Sequence, residues 1–364
     1  MVDLKPCERL TNMPASKAIP KIEDFGLGPQ LATREIPHNP WLAMLEWDAT
    51  QVLPAISSDP ISFSFTQSRE LQAGANTQHR LILVSGGLGD LMCRLCAAIV
   101  GAGVFVKFGN PPVNWVPDYR ESKSAKALLD RDFFRWDDEY APWRKDSERQ
   151  QLFAFLLIQT HRFVLLHEAG HILHGHGWRS ERTSLGSVID GPVPPEADEA
   201  AAISSMAREL VADAQAFHFH FRLLEEHFAR EGMDEMTELL REKLVGSPRE
   251  RLRMTLLAAF LVFQLLDYRE WSFESARLRS HPPAPFRMKA LYATALELNH
   301  SDMPSEVLKE EVEYATLLGS VVVDVGLNRL PQIKWINQVD GPEFDRLFAR
   351  IHAQMHKWAD PSLF

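Results

Sequence analysis

The chain has 364 residues, 45% of them hydrophobic and 24% charged, which is the composition of a globular protein and excludes a disordered one. Its formal net charge of −10 argues against nucleic acid as the main partner, because phosphate binding needs a cationic surface. Three cysteines, Cys7, Cys93 and Cys96, make no disulfide framework and fit a reduced, cytoplasmic setting. The opening MVDLKPCERL lacks the apolar core of a signal peptide. The longest apolar runs, 254–266 and 97–106, fall short of the roughly 20 residues that cross a bilayer, so no integral membrane span is expected.

Residues 1–60 are rich in proline, which argues against long helices there; the expectation is an extension that wraps the body or is partly mobile. Ile61–Phe65 alternates apolar and polar residues as a half-buried strand does, and 81–84 and 104–108 are further strand candidates. From Glu148 onward the pattern predicts helices over 148–175, 197–229, 234–244, 248–269, 285–299, 304–326 and 342–358. Gly and Pro mark loops at 186–195 and 281–285. A small sheet followed by a helical mass predicts an α+β fold, mainly α, with residues 61–364 as one domain.

The decisive segment is Phe163-Val-Leu-Leu-His167-Glu168-Ala-Gly-His171-Ile-Leu-His174. It contains H-E-x-x-H, and residues four apart on a helix share a face, so both imidazoles can reach one ion with Glu168 on the adjoining face. Such chemistry needs zinc to lower the pKa of a water and a carboxylate to take its proton during attack on a carbonyl. The preceding turns are apolar on nearly every side, so a His-Glu-His cluster at the end of this buried helix would be costly without a metal or other partners. A catalytic zinc also needs a third protein ligand and an open position. Glu209-Leu-Val-Ala-Asp213 offers one: Glu209 can bind the ion while Asp213 accepts the free N–H of a ligand histidine.

H-E-x-x-H followed by E-x-x-x-D on a later helix resembles the gluzincin metallopeptidases. The resemblance implies a zincin-like fold, zinc ligands His167, His171 and Glu209, a catalytic Glu168, and Asp213 orienting a histidine. Ser280-His281-Pro-Pro-Ala-Pro-Phe-Arg287 is similar to the His-Pro-x-x-x-x-Arg element of CAAX-protease-like gluzincins and of phage-exclusion, Lit-type peptidases. It implies that His281 steadies the oxyanion and that Arg287 braces the zinc helices. The wording HEAGHILHGHG is most similar to the Lit-type family, which implies a regulated endopeptidase acting on a protein or peptide; that family cleaves a host translation elongation factor on phage infection. A metal-stabilised binding protein without turnover and a membrane-associated processing protease stand as alternatives.

Other signals carry less. A rise of about 10.5 Å separates residues seven apart on a helix, too far for His174 to share an ion with His167, so His174 and His176 read as supporting or surface residues. Gly86-Gly87-Leu-Gly89 lacks the third glycine of a phosphate loop, since position 92 is Met92. It reads instead as a tight turn, with 81–85 as an edge strand able to pair with a peptide. Cys93-x-x-Cys96 has no second pair and reads as buried helical thiols, His218 and His220 as partly buried, and the charge runs 249–253 and 309–313 as solvated faces.

Overall fold

A computed structural model describes residues 29–36, 39–109, 134–137, 141, 143–179, 198–230, 233–266, 272–298, 303–326 and 335–363. The expected loop at 186–195, most of the 180–200 connection, Cys7 and the first 28 residues of the proline-rich segment lie outside these.

The architecture is α+β and mainly α. Helix α1 (Trp41–Ile56) leads to three strands, β1 (Ser62–Thr66), β2 (Ala73–Asn76) and β3 (Leu81–Ser85). Helix α2 (Gly86–Gly101) follows β3 directly, its first turn capped by the Ser85 side chain, which accepts from Leu88 N. Then come α3 (Ser147–Leu173), the single turn α4 (His176–Arg179), α5 (Glu199–Phe228), α6 (Glu235–Leu240) with a π-helical segment over Arg241–Val245, and α7 (Pro248–Leu266). The short α8 (Phe273–Ala276), α9 (Ala284–Leu298), α10 (Ser305–Gly326) and α11 (Pro342–Met355) complete the chain.

Helix α3 is the centre of the packing. Asp146 starts it, its side chain accepting from the backbone N–H of Glu148 and Arg149. Its middle is buried on almost every side, as the apolar run from Leu152 predicts, and it packs against α5, α2, α7 and β2. Fully buried phenylalanines such as Phe153, Phe163, Phe217 and Phe263 anchor this contact, each contributing roughly 2–3 kcal/mol of apolar burial. Helix α11 joins through a smaller cluster, in which Phe344, Leu347 and Ile351 meet Ile203, Met206 and Phe286.

Several expectations need correction. The proline-rich segment does sustain a long helix: in α1, Pro40 precedes the first turn and Pro54 falls in the last, so the missing N–H removes one terminal bond and leaves the interior intact. The stretch 104–108 is not a strand; Gly103 takes a positive φ of 71° after α2 and turns the chain, leaving Val106 exposed. Strand β3 is not an edge: the sheet order is β1-β3-β2, with β3 parallel to β1 (Phe63 opposite Ile82) and antiparallel to β2 (Ala75 opposite Ile82), so both its edges are paired. Strand β2 escaped the sequence reading because Ala-Gly-Ala-Asn carries no β-branched or aromatic residue. The run 309–313 is not wholly solvated, since Glu311 is fully buried and pairs with Arg249 and Arg253 of α7. Cys93 and Cys96 are free and buried in α2, and burial pushes the Cys96 thiol up to about 12. Among the described residues, no helix is long and apolar enough to cross a membrane.

Candidate metal centre

The last turns of α3 carry His167, Glu168 and His171, all buried. Helical spacing brings the two imidazoles together edge to face, their planes at 88°, with their Nε2 atoms 3.3 Å apart. Helix α5 passes close by because position 170 is glycine: a Cβ there would stand 3.2 Å from Ala212 Cα and 3.3 Å from its carbonyl oxygen. Glu209 and Asp213 lie on either side of that contact and both reach α3. Glu209 Oε2 is 3.4 Å from His167 Nε2, and Glu209 Oε1 is 3.5 Å from His171 Nε2.

These three separations are long for hydrogen bonds, yet they match the edge of a tetrahedron. Ligand bonds of about 2.0–2.1 Å around a tetrahedral zinc imply donor–donor edges of roughly 3.3–3.4 Å. His167, His171 and Glu209 offer one donor atom each within 4.8 Å of one another, close enough to bind a metal ion, and among the described residues no other trio of such side chains does so. Glu209 Oε2 is also buried without a hydrogen-bond partner among the described residues, an arrangement that costs free energy unless a cation takes its lone pairs. The donor set therefore fits a divalent ion, and two imidazoles with one carboxylate suit zinc with a position left open.

Asp213 organises the layer behind this centre. Its Oδ1 is 2.8 Å from His167 Nδ1, and the pair of Asp213 oxygens accepts from Arg287 Nε at 2.8 Å and Arg287 Nη2 at 2.7 Å. With Nδ1–H donated to Asp213, the lone pair of His167 lies on Nε2, the atom facing His171 and Glu209. Arg287 comes from α9, and its guanidinium lies 4.7 Å from the Phe263 ring centroid on α7, a stacking contact that steadies a buried cation. The loop just before α9 delivers His281: its Nε2 is 3.6 Å from Glu209 Oε1, Ser280 Oγ is 2.9 Å from its Nδ1, and 27% of the side chain remains exposed.

The electrostatics favour positive charge. Burial opposes ionisation of His167, but Asp213 and Glu209 overcome it and raise its pKa to about 10. Burial likewise works against the Glu209 carboxylate, and the neighbouring His281, His171 and His167 hold it well below the usual range. Asp213 is lowered against the cost of burial by Arg287 and His167. Arg287 is raised despite burial, by Asp213 and then by Glu209 and Glu168. Asp213, Glu209 and Glu168 thus hold Arg287 charged, and Asp213 and Glu209 favour positive charge on His167 as well.

The expected residues His167, His171, Glu209, Asp213, His281 and Arg287 therefore meet, with Glu168 in the same turn as the first histidine. His174 and His176, expected as supporting or surface residues, are both buried. His176 Nδ1 is 2.8 Å from His171 Nδ1, and burial, with the rings of His171 and His174 nearby, lowers its pKa so that it stays neutral. No local sequence signal separates His176 from a surface histidine, because its other partner is 182 residues away.

Residues 119–307, just over half of the chain, match the family model described as Peptidase U49, an interval that holds all seven expected site residues. No curated protein and no solved structure matches the chain.

Proposed function

The chain belongs to the peptidase U49 family, the Lit-type family its motifs resemble, and on that premise we propose that it is a zinc-dependent endopeptidase of gluzincin type that hydrolyses a peptide bond in a protein substrate. The observation that carries the metal assignment is the set of three donor separations between 3.3 and 3.5 Å among His167, His171 and Glu209. When bound there, zinc supplies Lewis acidity, lowering the pKa of a water and polarising a carbonyl oxygen.

The remaining chemistry belongs to the chain's own side chains. Glu168 receives a proton from the attacking water on its carboxylate and returns it to the leaving nitrogen as the carbon–nitrogen bond breaks. Burial of Glu168 and of both histidines excludes bulk water from that transfer. His281 serves as a donor to the developing oxyanion. With the Ser280 hydroxyl donating to Nδ1, the His281 proton sits on Nε2, an atom with no hydrogen-bond partner among the described residues. Asp213 and Arg287 keep His167 in the tautomer that leaves Nε2 free to bind. A regulated, phage-defence-like role within the cytoplasm belongs to the same proposal.

The test is Glu168→Gln, which removes the base and keeps the ligands. Its zinc content is expected to equal that of the parent, while turnover falls on the order of a hundredfold to ten-thousandfold. Mapping new N-termini in cells expressing parent or variant measures activity and names the substrate in one experiment. Equal cleavage by both proteins would overturn the mechanism.

A further inference from the structure

Behind His171 lies a chain of contacts that runs away from the centre to the C-terminal end of the protein. His171 Nδ1 is 2.8 Å from His176 Nδ1, and His176 Nε2 is 3.2 Å from the backbone carbonyl of Trp358. A carbonyl can only accept, so the His176 nitrogen facing it must carry the proton. In a neutral imidazole the other nitrogen, Nδ1, is then an acceptor. Two nitrogens 2.8 Å apart need one proton between them, so His171 must supply it from its own Nδ1. That leaves the His171 lone pair on Nε2, facing His167 Nε2 and Glu209 Oε1.

The reverse arrangement is unfavourable. A proton on His176 Nδ1 would turn its Nε2 lone pair against the Trp358 oxygen, or else make the ring a cation in a site with only 2% of its surface exposed.

We infer that His176 is a positioning residue that reads the Trp358 carbonyl and passes its tautomer to His171, so that the far end of the chain sets the orientation and basicity of one metal ligand. The fold supplies the parts separately. Gly175, at a φ of 66°, ends α3 in the left-handed region and folds α4 back, so that the ring of residue 176 lies 5.0 Å from that of residue 171 at 68°. The carbonyl is held from the other side. Trp358 N donates to Met355 O at 2.9 Å as α11 ends, its ring packs on the small α5–α11 cluster, and the Arg208 guanidinium of α5 lies 5.2 Å from it. A second tie lies alongside, where Asp360 N donates to His174 Nδ1 at 2.9 Å. The two ligand histidines are thus oriented by different means: His167 by a buried carboxylate of α5, and His171 by a neutral histidine and a backbone carbonyl. An acidic partner makes an imidazole a stronger base than a neutral one does, so the two ligands differ in donor strength.

This rests on reading His167, His171 and Glu209 as a metal centre, and the test separates the two claims. Two-bond proton–nitrogen spectra of the full-length, histidine-labelled, metal-free chain at about pH 9, above the ordinary histidine range, are expected to place the protons on His171 Nδ1 and His176 Nε2. A proton on His176 Nδ1 would overturn the inference whether or not metal binds. Zinc affinity is then measured by competition with a chelator. His176→Leu is expected to weaken it by about 10–100-fold. His176→Gln, whose amide can donate to Trp358 O and accept from His171, is expected to recover to within about threefold of the parent. Parent-like affinity in His176→Leu, or no recovery in His176→Gln, would also overturn it. If His176→Leu fails to fold, the parent spectra and the His176→Gln affinity decide. If the parent itself binds no zinc, the metal reading fails and the spectra still decide the role of His176.

Discussion

Midway along α3, His161 is sealed against the phenylalanines of β1, and His220 of α5 lies beside Phe163; toward the end of α3, His167 and His171 are sealed beside Glu209 and Asp213. The ring of His161 lies 5.4 Å from Phe63 and 5.8 Å from Phe65, and neither of its nitrogens has a hydrogen-bond partner among the described residues. His220 is 3.1 Å from Thr255 Oγ1 and 3.2 Å from Gln159 O. Burial lowers the pKa of His161 to about 4 and that of His220 to about 3, whereas the carboxylates around the equally buried His167 raise it to about 10. Buried histidines alone therefore do not mark a cation site. Convergent carboxylates are what set the second pair apart.

The sharpest way to break this contrast is to remove the carboxylate that the two helices share. Asp213→Asn keeps the volume but leaves Arg287 buried against a neutral amide, and is expected to cost about 3–5 kcal/mol in urea unfolding and to weaken zinc binding by about 10–100-fold. The double variant Asp213→Leu/Arg287→Met is expected to recover stability, since an apolar pair replaces the ion pair, without recovering zinc affinity. Recovery of both would mean that Asp213 does not orient His167.

The aromatic-lined region answers to pH. His161 stays neutral in the fold down to about pH 4, while the unfolded chain takes up its proton near pH 6.5. The unfolded state therefore binds more protons in that window, and stability falls as pH drops from 6.5 toward 4, by on the order of 3 kcal/mol from this residue. Urea midpoints measured at both ends of the window should show the loss, and His161→Phe should flatten it. An unchanged slope in that variant would assign the acid sensitivity elsewhere.

The smallest effect concerns the spacing between helices. Gly170→Ala places a Cβ 3.2 Å from Ala212 Cα, so α3 and α5 must part by a few tenths of an ångström, at about 1–3 kcal/mol. Because Glu209 reaches the centre across that gap, zinc affinity should fall along with stability. A variant that lost stability alone would show that the donors tolerate the shift.

Much of the candidate site was legible in the sequence. His167, Glu168 and His171 follow from one helical motif, Glu209 and Asp213 from a second, and His281 with Arg287 from a family resemblance. What escaped has physical causes. Strand β2 is built from Ala, Gly and Asn, which carry no strand signal. The orientation of β3 depends on which strands pair with it, and alternation does not encode that. Helix α1 was hidden by the proline content of the segment, which does not reveal that Pro40 only precedes the first turn and Pro54 falls in the last. Glu311 looked solvated in a run of charges until α7 brought two arginines to it.

By itself, the sequence determined which side chains share a face, because helical periodicity is a local property: His167 and His171 are four residues apart, and so are Glu209 and Asp213. It did not determine that those two faces would confront each other, since 38 residues separate His171 from Glu209 and helix propensity does not say how a connection returns. Tertiary packing decided that, through the close approach at Gly170. It also decided that a carbonyl near the C-terminus would meet His176, because hydrogen bonds between distant segments depend on where whole helices come to rest.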